Sequence, residues 1–314
     1  MGEYDIQNVG VLGAGLMGHG IAQLLAVGGC RVKLFDNDPQ VLSDAPRRMR
    51  DNLGVFLGLG MITREAIDEA LGRVNLASDL AELCEGRDLV IEAVSENLEL
   101  KRRVFASLEE LAAPDCILAS NTSAISIGKI AQGLARPGRV VGAHFWNPPH
   151  VVPCVEVIRG PQTEDAVLES VYDLLRRVGK RPVRVQKDVP GFVGNRMQHA
   201  LWREAISLVE EGIASAEDVD EVVRYSFGLR LAFLGPLATA DLAGLDLTYD
   251  VHKDLFPHLD RSTEPSPLLI RKIERGELGA KSGQGFHSWT PEKLKQVISR
   301  RDEVLLKIVR EVLS

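Results

Sequence analysis

The chain has 314 residues, 45% of them hydrophobic and 26% charged, with a formal net charge of −7. That length accommodates two domains and a large core. The acidic balance argues against a nucleic-acid partner and gives no reason to expect attraction to a membrane surface. Cys30, Cys84, Cys116 and Cys154 are scattered, with no CxxC pair, which fits a reducing compartment and neither a disulfide framework nor a metal site. The N-terminus lacks a basic region followed by an apolar run, so no secretory signal is expected. No apolar run reaches the length of a membrane span, and the expected location is cytoplasmic.

Residues 6–12 (Ile6, Val9, Val11, Leu12) form an expected strand. Gly13-Ala14-Gly15-Leu16-Met17-Gly18 follows and opens an apolar helix stopped by Gly28-Gly29. Residues 31–36 are a second strand ending at Asp36. This βαβ unit has the size of a nucleotide-binding first turn. Residues 39–75 predict two helices joined near Gly58–Met61, with Thr63 opening the second. Further strands are expected at 89–94, 117–120 and 140–143, with a helix over 98–111. The apolar run Val151, Val152, Val155, Val157 and Ile158 predicts a buried strand after the Pro148-Pro149 turn, and 183–185 closes the sheet. Strands alternating with helices predict an α/β domain, a doubly wound parallel sheet of the Rossmann type.

Lys187-Asp188-Val189-Pro190-Gly191 is a hinge-like break. Beyond it the pattern is helical: 192–212, a helix opened by Ser215 or Ala216, and an amphipathic tail from Leu294 to Val312. The chain therefore divides into residues 1–188, a sheet domain with a helical hairpin at about 40–75, and residues 189–314, an all-α domain.

A lone GxGxxG is weak, but this one follows a strand, opens a helix and has an acid at the end of the next strand. Gly13 permits the tight turn, Gly15 the approach of a pyrophosphate, and Gly18 close helix–strand packing. The helix N-terminus offers free N–H groups to phosphates. Asp36 can bond a ribose 2′-hydroxyl and repels a 2′-phosphate, which favours NAD over NADP. The bland alternative is a glycine turn without a ligand.

Oxidising an alcohol with NAD requires a group that takes the hydroxyl proton, and histidine suits that role. Of seven histidines, only His144 ends a predicted strand of the sheet, on the edge where ligands bind in such folds. Glu156, on the following strand, can meet it side by side as an orienting carboxylate. Asn147 and the Asn121-Thr122-Ser123 stretch lie nearby in the pattern.

These residues resemble the L-3-hydroxyacyl-CoA dehydrogenase family along almost the whole chain. The matching stretches are Gly13–Gly18, Glu92-Ala93-Val94-Ser95-Glu96-Asn97, Asn121-Thr122-Ser123, His144-Phe145-Trp146-Asn147-Pro148 and Val155-Glu156-Val157-Ile158. Pro190–Arg196, Gly235-Pro236, Asp241, Gly244-Leu245-Asp246 and Lys281–Phe286 complete the set. The resemblance implies a His144–Glu156 catalytic pair, with Ser123 and Asn195 holding the substrate oxygen. It implies NAD contacts at Gly13, Gly15, Leu16, Met17, Gly18, Asp36, Ala93, Glu96, Lys101, Ser123, Asn147 and Lys281. For Lys101 the residue pattern alone favours a solvated helix face, and Glu96 reads equally well as a helix cap. The resemblance also implies a homodimer formed through the helical domain, and a short-chain L-3-hydroxyacyl-CoA substrate of fatty acid metabolism.

Two stretches depart from the family. Where it contacts CoA through a serine and a lysine, ungapped counting places Asn52 and Leu59, and Val55–Gly60 carries no charge. A phosphorylated ligand favours cations there; Arg47, Arg48 and Arg50 are close in sequence but read as a solvated face. Pro148-Pro149-His150 is similar to two relatives that act on free acids, the lambda-crystallin-like gulonate dehydrogenases and the dehydrogenase of a pyridine carboxylic acid. His150 is thus either a contact for a substrate carboxylate or a solvent-facing residue at a strand start. The alternatives are the same chemistry on a free hydroxy acid or an aromatic alcohol or aldehyde, and a non-catalytic NAD-binding crystallin-like scaffold. A 3-hydroxyisobutyrate-type dehydrogenase shares the glycine turn but uses a lysine base.

Overall fold

A computed structural model describes residues 5–313. Its centre is an eight-stranded sheet in the order β3-β2-β1-β4-β5-β6-β7-β8. The strands are β1 Asn8–Leu12, β2 Arg31–Phe35, β3 Val74–Leu76, β4 Leu89–Glu92, β5 Ile117–Ser120, β6 Val140–Phe145, β7 Cys154–Ile158 and β8 Arg181–Val185. β1 to β6 run parallel. β7 pairs antiparallel with β6, and β8 runs parallel to β7. The sheet is predominantly parallel, as expected, and reverses only at the β6–β7 pair. The linker over residues 146–153 is too short for the crossover a parallel neighbour needs.

The helices of the sheet unit are α1 Gly18–Val27, α2 Pro39–Gly58, α3 Arg64–Gly72, α4 Leu80–Cys84, α5 Leu98–Leu111, α6 Ile127–Ile130 and α7 Asp165–Arg177. Asp38 and Thr63 cap α2 and α3 with their side chains, so the hairpin forms as its sequence implies. Its end does not: β3 is three residues long, too short to show a period of two. α7 is not among the expected elements, although its buried Val167, Leu168, Val171, Leu174 and Leu175 recur at helical spacing.

Strand alternation sorts the core onto two faces. One cluster joins Val9, Val11, Leu89, Ile91, Ala143, Phe145, Val155 and Val157 to Ile21 and Leu25 of α1 and Leu174 of α7. The other joins Val90, Leu118, Val140 and Ile158 to Leu83, Phe105, Leu108 and Ile127 of α4 to α6, and to Phe192. Each fully buried branched or aromatic side chain contributes about 1.5–3 kcal/mol relative to exposure. His144 and Glu156 lie between members of the first cluster along their strands, so the pleat turns both toward the second face.

Two compact units meet in the chain between Arg196 and Met197, eight residues beyond the break read from composition at 188. Residues 189–196 stay with the sheet because Phe192 is buried in the second cluster. The second unit is helical: most of α8 Gly194–Glu210, then α9 Ala216–Tyr225, α10 Phe227–Leu231, α11 Pro236–Ala243, α12 Leu245–Leu255, α13 Pro267–Glu274 and α14 Pro291–Leu313. Ser215 caps α9, as its spacing implies. The only pairing there among the described residues is isolated bridges of Gln284 with Gly279 and Ser288.

Gly13 adopts a φ of +97°, open to glycine alone without strain, and a Cβ on Gly18 would lie 1.7 Å from the Gly13 carbonyl oxygen. Gly18→Ala is therefore expected to lower stability by about 2–3 kcal/mol and to weaken NAD binding, checked by urea unfolding and NADH fluorescence titration.

Candidate active site

The antiparallel register sets His144 directly opposite Glu156. Directly opposed side chains on one face are within contact range, and the imidazole Nδ1 meets Glu156 Oε2 at 2.7 Å. Both residues are buried. The other carboxylate oxygen, Oε1, accepts the backbone N–H groups of Val193 (2.9 Å) and Gly194 (3.0 Å) at the start of α8. Phe192 directs these donors: it is the one described non-glycine residue with positive φ, at +48°. Its ring and that of Trp146 lie 5.9 and 5.2 Å from the imidazole, and Trp146 also packs where a Cβ on Gly194 would fall.

Burial pushes the Glu156 carboxyl upward, but the bonds from His144, Gly194 and Val193 and the nearby imidazole charge outweigh it. The net position is below the ordinary carboxylate value, so Glu156 is ionised at neutral pH. Its contribution to stability is present above that ordinary value, about pH 4.3, and is lost as pH falls through the lower folded value.

The loop after β5 is fixed from several sides. Asn121 Oδ1 accepts the Phe145 N–H at 2.9 Å, joining this loop to the residue after His144. Glu96 Oε1 accepts from Thr122 Oγ1 (2.6 Å) and from the N–H groups of Ser123 (2.9 Å) and Ala124 (3.1 Å). Asn195 Nδ2 donates to the Ser123 carbonyl at 2.9 Å. The structure thus brings Ser123 and Asn195 together and leaves Ser123 exposed. Glu96 does not cap α5, a task done by Asn97, whose side chain accepts from Leu100 N–H. Burial raises the Glu96 carboxyl, and the Thr122 bond, the Lys101 charge and the two backbone donors bring it below its ordinary value.

Lys101 is on no solvated face. Its ammonium is fully buried, 2.6 Å from Glu92 Oε1 and 3.4 Å from Glu96 Oε2. Glu92, also fully buried, accepts the Ser120 hydroxyl on its second oxygen at 2.6 Å. In this geometry Lys101 faces Glu96 from the interior side and holds its carboxylate in place. Glu92 carries no role in the sequence reading. The signal for it is an acid ending an otherwise apolar strand, nine residues before a lysine.

The nucleotide turn follows β1 at the switch point between β1 and β4, where ligands bind in doubly wound sheets. A Cβ on Gly15 would meet nothing within 4 Å, the open backbone a pyrophosphate needs. Leu16 is exposed at the tip and Met17 is half-buried. Asp36 Oδ2 accepts the Ala14 N–H at 2.7 Å, and Arg48 Nη2 donates to the Ala14 carbonyl at 2.7 Å. Arg48 is therefore turned inward, unlike the exposed Arg47 and Arg50. Ala93 lies against Gly13, whose Cβ would fall 2.6 Å from the Ala93 carbonyl oxygen. Asn147 is exposed just past His144, and Lys281 is exposed in the second unit, on the turn between Gly279 and Gln284. His150 is half-buried in the turn before β7 rather than at a strand start. Among the described residues no group of three or more His, Cys, Asp or Glu could hold a metal ion, and no helix is long and apolar enough to cross a membrane.

The NAD-binding domain of 3-hydroxyacyl-CoA dehydrogenase matches residues 8–189, and the C-terminal domain of the same family matches residues 191–289. The chain belongs to the 3-hydroxyacyl-CoA dehydrogenase family. Like other members it is an NAD-dependent oxidoreductase. A 5-formyl-3-hydroxy-2-methylpyridine 4-carboxylate 5-dehydrogenase of Mesorhizobium japonicum is 38% identical over 97% of this chain and 98% of its own. A solved structure of an enzyme of that name, described as an NAD+-dependent dismutase, superposes with a TM-score of 0.92 at 37% identity, covering 98% of this chain and 99% of the other. The (S)-3-hydroxybutyryl-CoA dehydrogenase PaaH1 of Ralstonia eutropha gives 0.77 at 36% identity, covering 91% of this chain and 100% of the other. A lambda-crystallin homolog of Bos taurus is 43% identical over 74% of this chain and 73% of its own.

Removing one partner of a buried ion pair leaves an uncompensated charge. Lys101→Met is accordingly expected to lower unfolding free energy by about 3–5 kcal/mol, with most of the loss regained in Lys101→Met/Glu92→Gln; urea denaturation of both variants checks this.

Proposed function

We propose that this family member oxidises a carbinol carbon on a small carboxylate-bearing substrate that carries no CoA, either a hydroxy acid or an aromatic alcohol or aldehyde. The reading rests on the likeness to the pyridine-carboxylate dehydrogenase, which runs through α14, a helix lying beyond the family's C-terminal domain. The uncharged Val55–Gly60 segment of the hairpin is consistent with it, because nothing there would meet a CoA phosphate.

His144 is the general base. In the neutral ring that donates Nδ1–H to Glu156, Nε2 is the free acceptor that takes the proton leaving the substrate hydroxyl. Glu156 holds the ring in that tautomer and stabilises the imidazolium that forms. The α8 N–H groups hold Glu156 in turn, so its charge is fixed without solvent. Ser123 and Asn195 hold the substrate oxygen. NAD, when bound, supplies the hydride acceptor. Gly13, Gly15, Leu16, Met17 and Gly18 cradle its pyrophosphate and Asp36 its adenosine ribose. Ala93, Glu96, Lys101 by way of Glu96, Ser123, Asn147 and Lys281 serve the remainder. An aldehyde enters the same chemistry as its hydrate: the carbinol carbon loses hydride, a hydroxyl loses its proton to His144, and a carboxylic acid remains. His150 contacts the substrate carboxylate.

The active form is a homodimer built through the helical unit. Among the described residues beyond Met197, only Gly285 and Leu306 are buried, while Leu237, Leu242 and Phe233 are 81, 77 and 70% exposed. A helical unit with so little buried apolar surface requires a partner to cover it. The second substrate reading, a short 3-hydroxyacyl-CoA, is favoured by the similarity to 3-hydroxybutyryl-CoA dehydrogenase.

His144→Ala and Glu156→Gln are each expected to lower kcat by about a hundredfold or more with NADH binding retained; equal turnover by wild type and His144→Ala would overturn the assignment. The substrate is decided by kcat/KM for 5-formyl-3-hydroxy-2-methylpyridine 4-carboxylate against 3-hydroxybutyryl-CoA, with free CoA as competitor. Faster turnover of the thioester and inhibition by millimolar-range CoA would favour the second reading.

A further inference from the structure

Lys180 stands between α7 and β8, outside the residues that form the His144–Glu156 site, and is buried. Among the described residues its ammonium has no carboxylate partner. It donates instead to two backbone carbonyls, those of Pro149 at 2.6 Å and Val152 at 2.9 Å. Burial alone pushes it down to about 8. An unpaired buried cation is costly, and a neutral apolar residue would fill the space without that cost. What this cation secures is one feature, the turn over residues 148–152 that joins the strand of His144 to the strand of Glu156.

The same turn is held from two other sides. A Cβ on Gly20 of α1 would lie 2.7 Å from Pro149 Cγ and 3.0 Å from His150 Nδ1, so helix and turn touch with no room to spare. The His150 ring lies 6.1 Å from that of Phe56 on α2. Within the turn, the Val151 and Val152 N–H groups both donate to the Pro148 carbonyl at 3.0 Å. The Lys180 contacts therefore add to a turn already closed on itself and fix its position relative to α7 and β8.

We infer that Lys180 is a positioning residue for substrate selection: by clasping the Pro149 and Val152 carbonyls it sets the place of His150, the contact for the substrate carboxylate. This rests on the carboxylate-substrate reading above. The device acts on the part of the substrate away from the reacting carbon, so it governs KM and discrimination rather than the chemical step.

The test uses full-length Lys180→Met with 5-formyl-3-hydroxy-2-methylpyridine 4-carboxylate and its uncharged 4-carboxamide as probes. The expected result is a KM for the carboxylate raised about tenfold, the scale of one charge-assisted hydrogen bond, with kcat and NADH affinity held. Preference for the carboxylate over the carboxamide falls by the same factor, and His150→Gln shows the same loss. A Lys180→Met enzyme with unchanged KM and preference overturns the inference, as does one in which kcat and NADH affinity fall together with KM. If Lys180→Met does not fold, Gly20→Ala displaces the turn from its other side and is expected to give the same loss of preference; retained preference there overturns the inference. Wild-type enzyme that turns over both probes equally would instead sink the substrate reading. The inference falls with it, because His150 then has no substrate carboxylate to select.

Discussion

The site depends on one reversal of chain direction. β7 enters antiparallel beside β6, and that register puts the Glu156 carboxylate against the His144 imidazole. A parallel neighbour would have needed a long crossover and would have carried the carboxylate elsewhere. Once buried, the carboxylate needs donors on both oxygens. One comes from His144 and two from the backbone at the start of α8. The sheet and the start of α8 therefore share a residue. The left-handed Phe192 is the local strain that this sharing requires.

A second tier of charge lies behind the first. Glu92, Lys101 and Glu96 carry an ion pair from the buried end of β4 through α5 to the loop that presents Ser123. On the other side of the switch point, Asp36 accepts the N–H of Ala14 and Arg48 donates to its C=O, holding the two peptide units that flank this residue inside the nucleotide turn. In both places the charges are spent on backbone that must not move. Such networks specify a single arrangement more than they add stability, and preorganised geometry is what a proton transfer beside a bound nucleotide demands.

Much of this was legible in the sequence, for identifiable reasons. The glycine turn, its strand and Asp36 are local and fall in one contiguous βαβ unit. The strands are short apolar runs, and Thr63 and Ser215 cap α3 and α9 where the spacing implies. His144 and Glu156 could be paired because their strands are consecutive. Other features left little trace. β3 is too short for a period. Lys101 on an amphipathic helix reads as solvated, since its burial depends on Glu92 from a different element. Lys180 sits in a basic, polar stretch, and nothing local marks it as buried or names its carbonyl partners. Arg48 differs from Arg47 and Arg50 only in the direction its helix face takes.

The sequence by itself determined the family, the cofactor and the doubly wound fold, because those are written in residues close together along the chain and in patterns of period two and three to four. Tertiary structure alone decided which charged residues are interior. Burial and pairing are properties of surfaces brought together from distant segments: the reversal at β7, the inward face of α2, and the meeting of the α7–β8 connection with the 148–152 turn. No spacing rule encodes those meetings, because each depends on how whole elements pack.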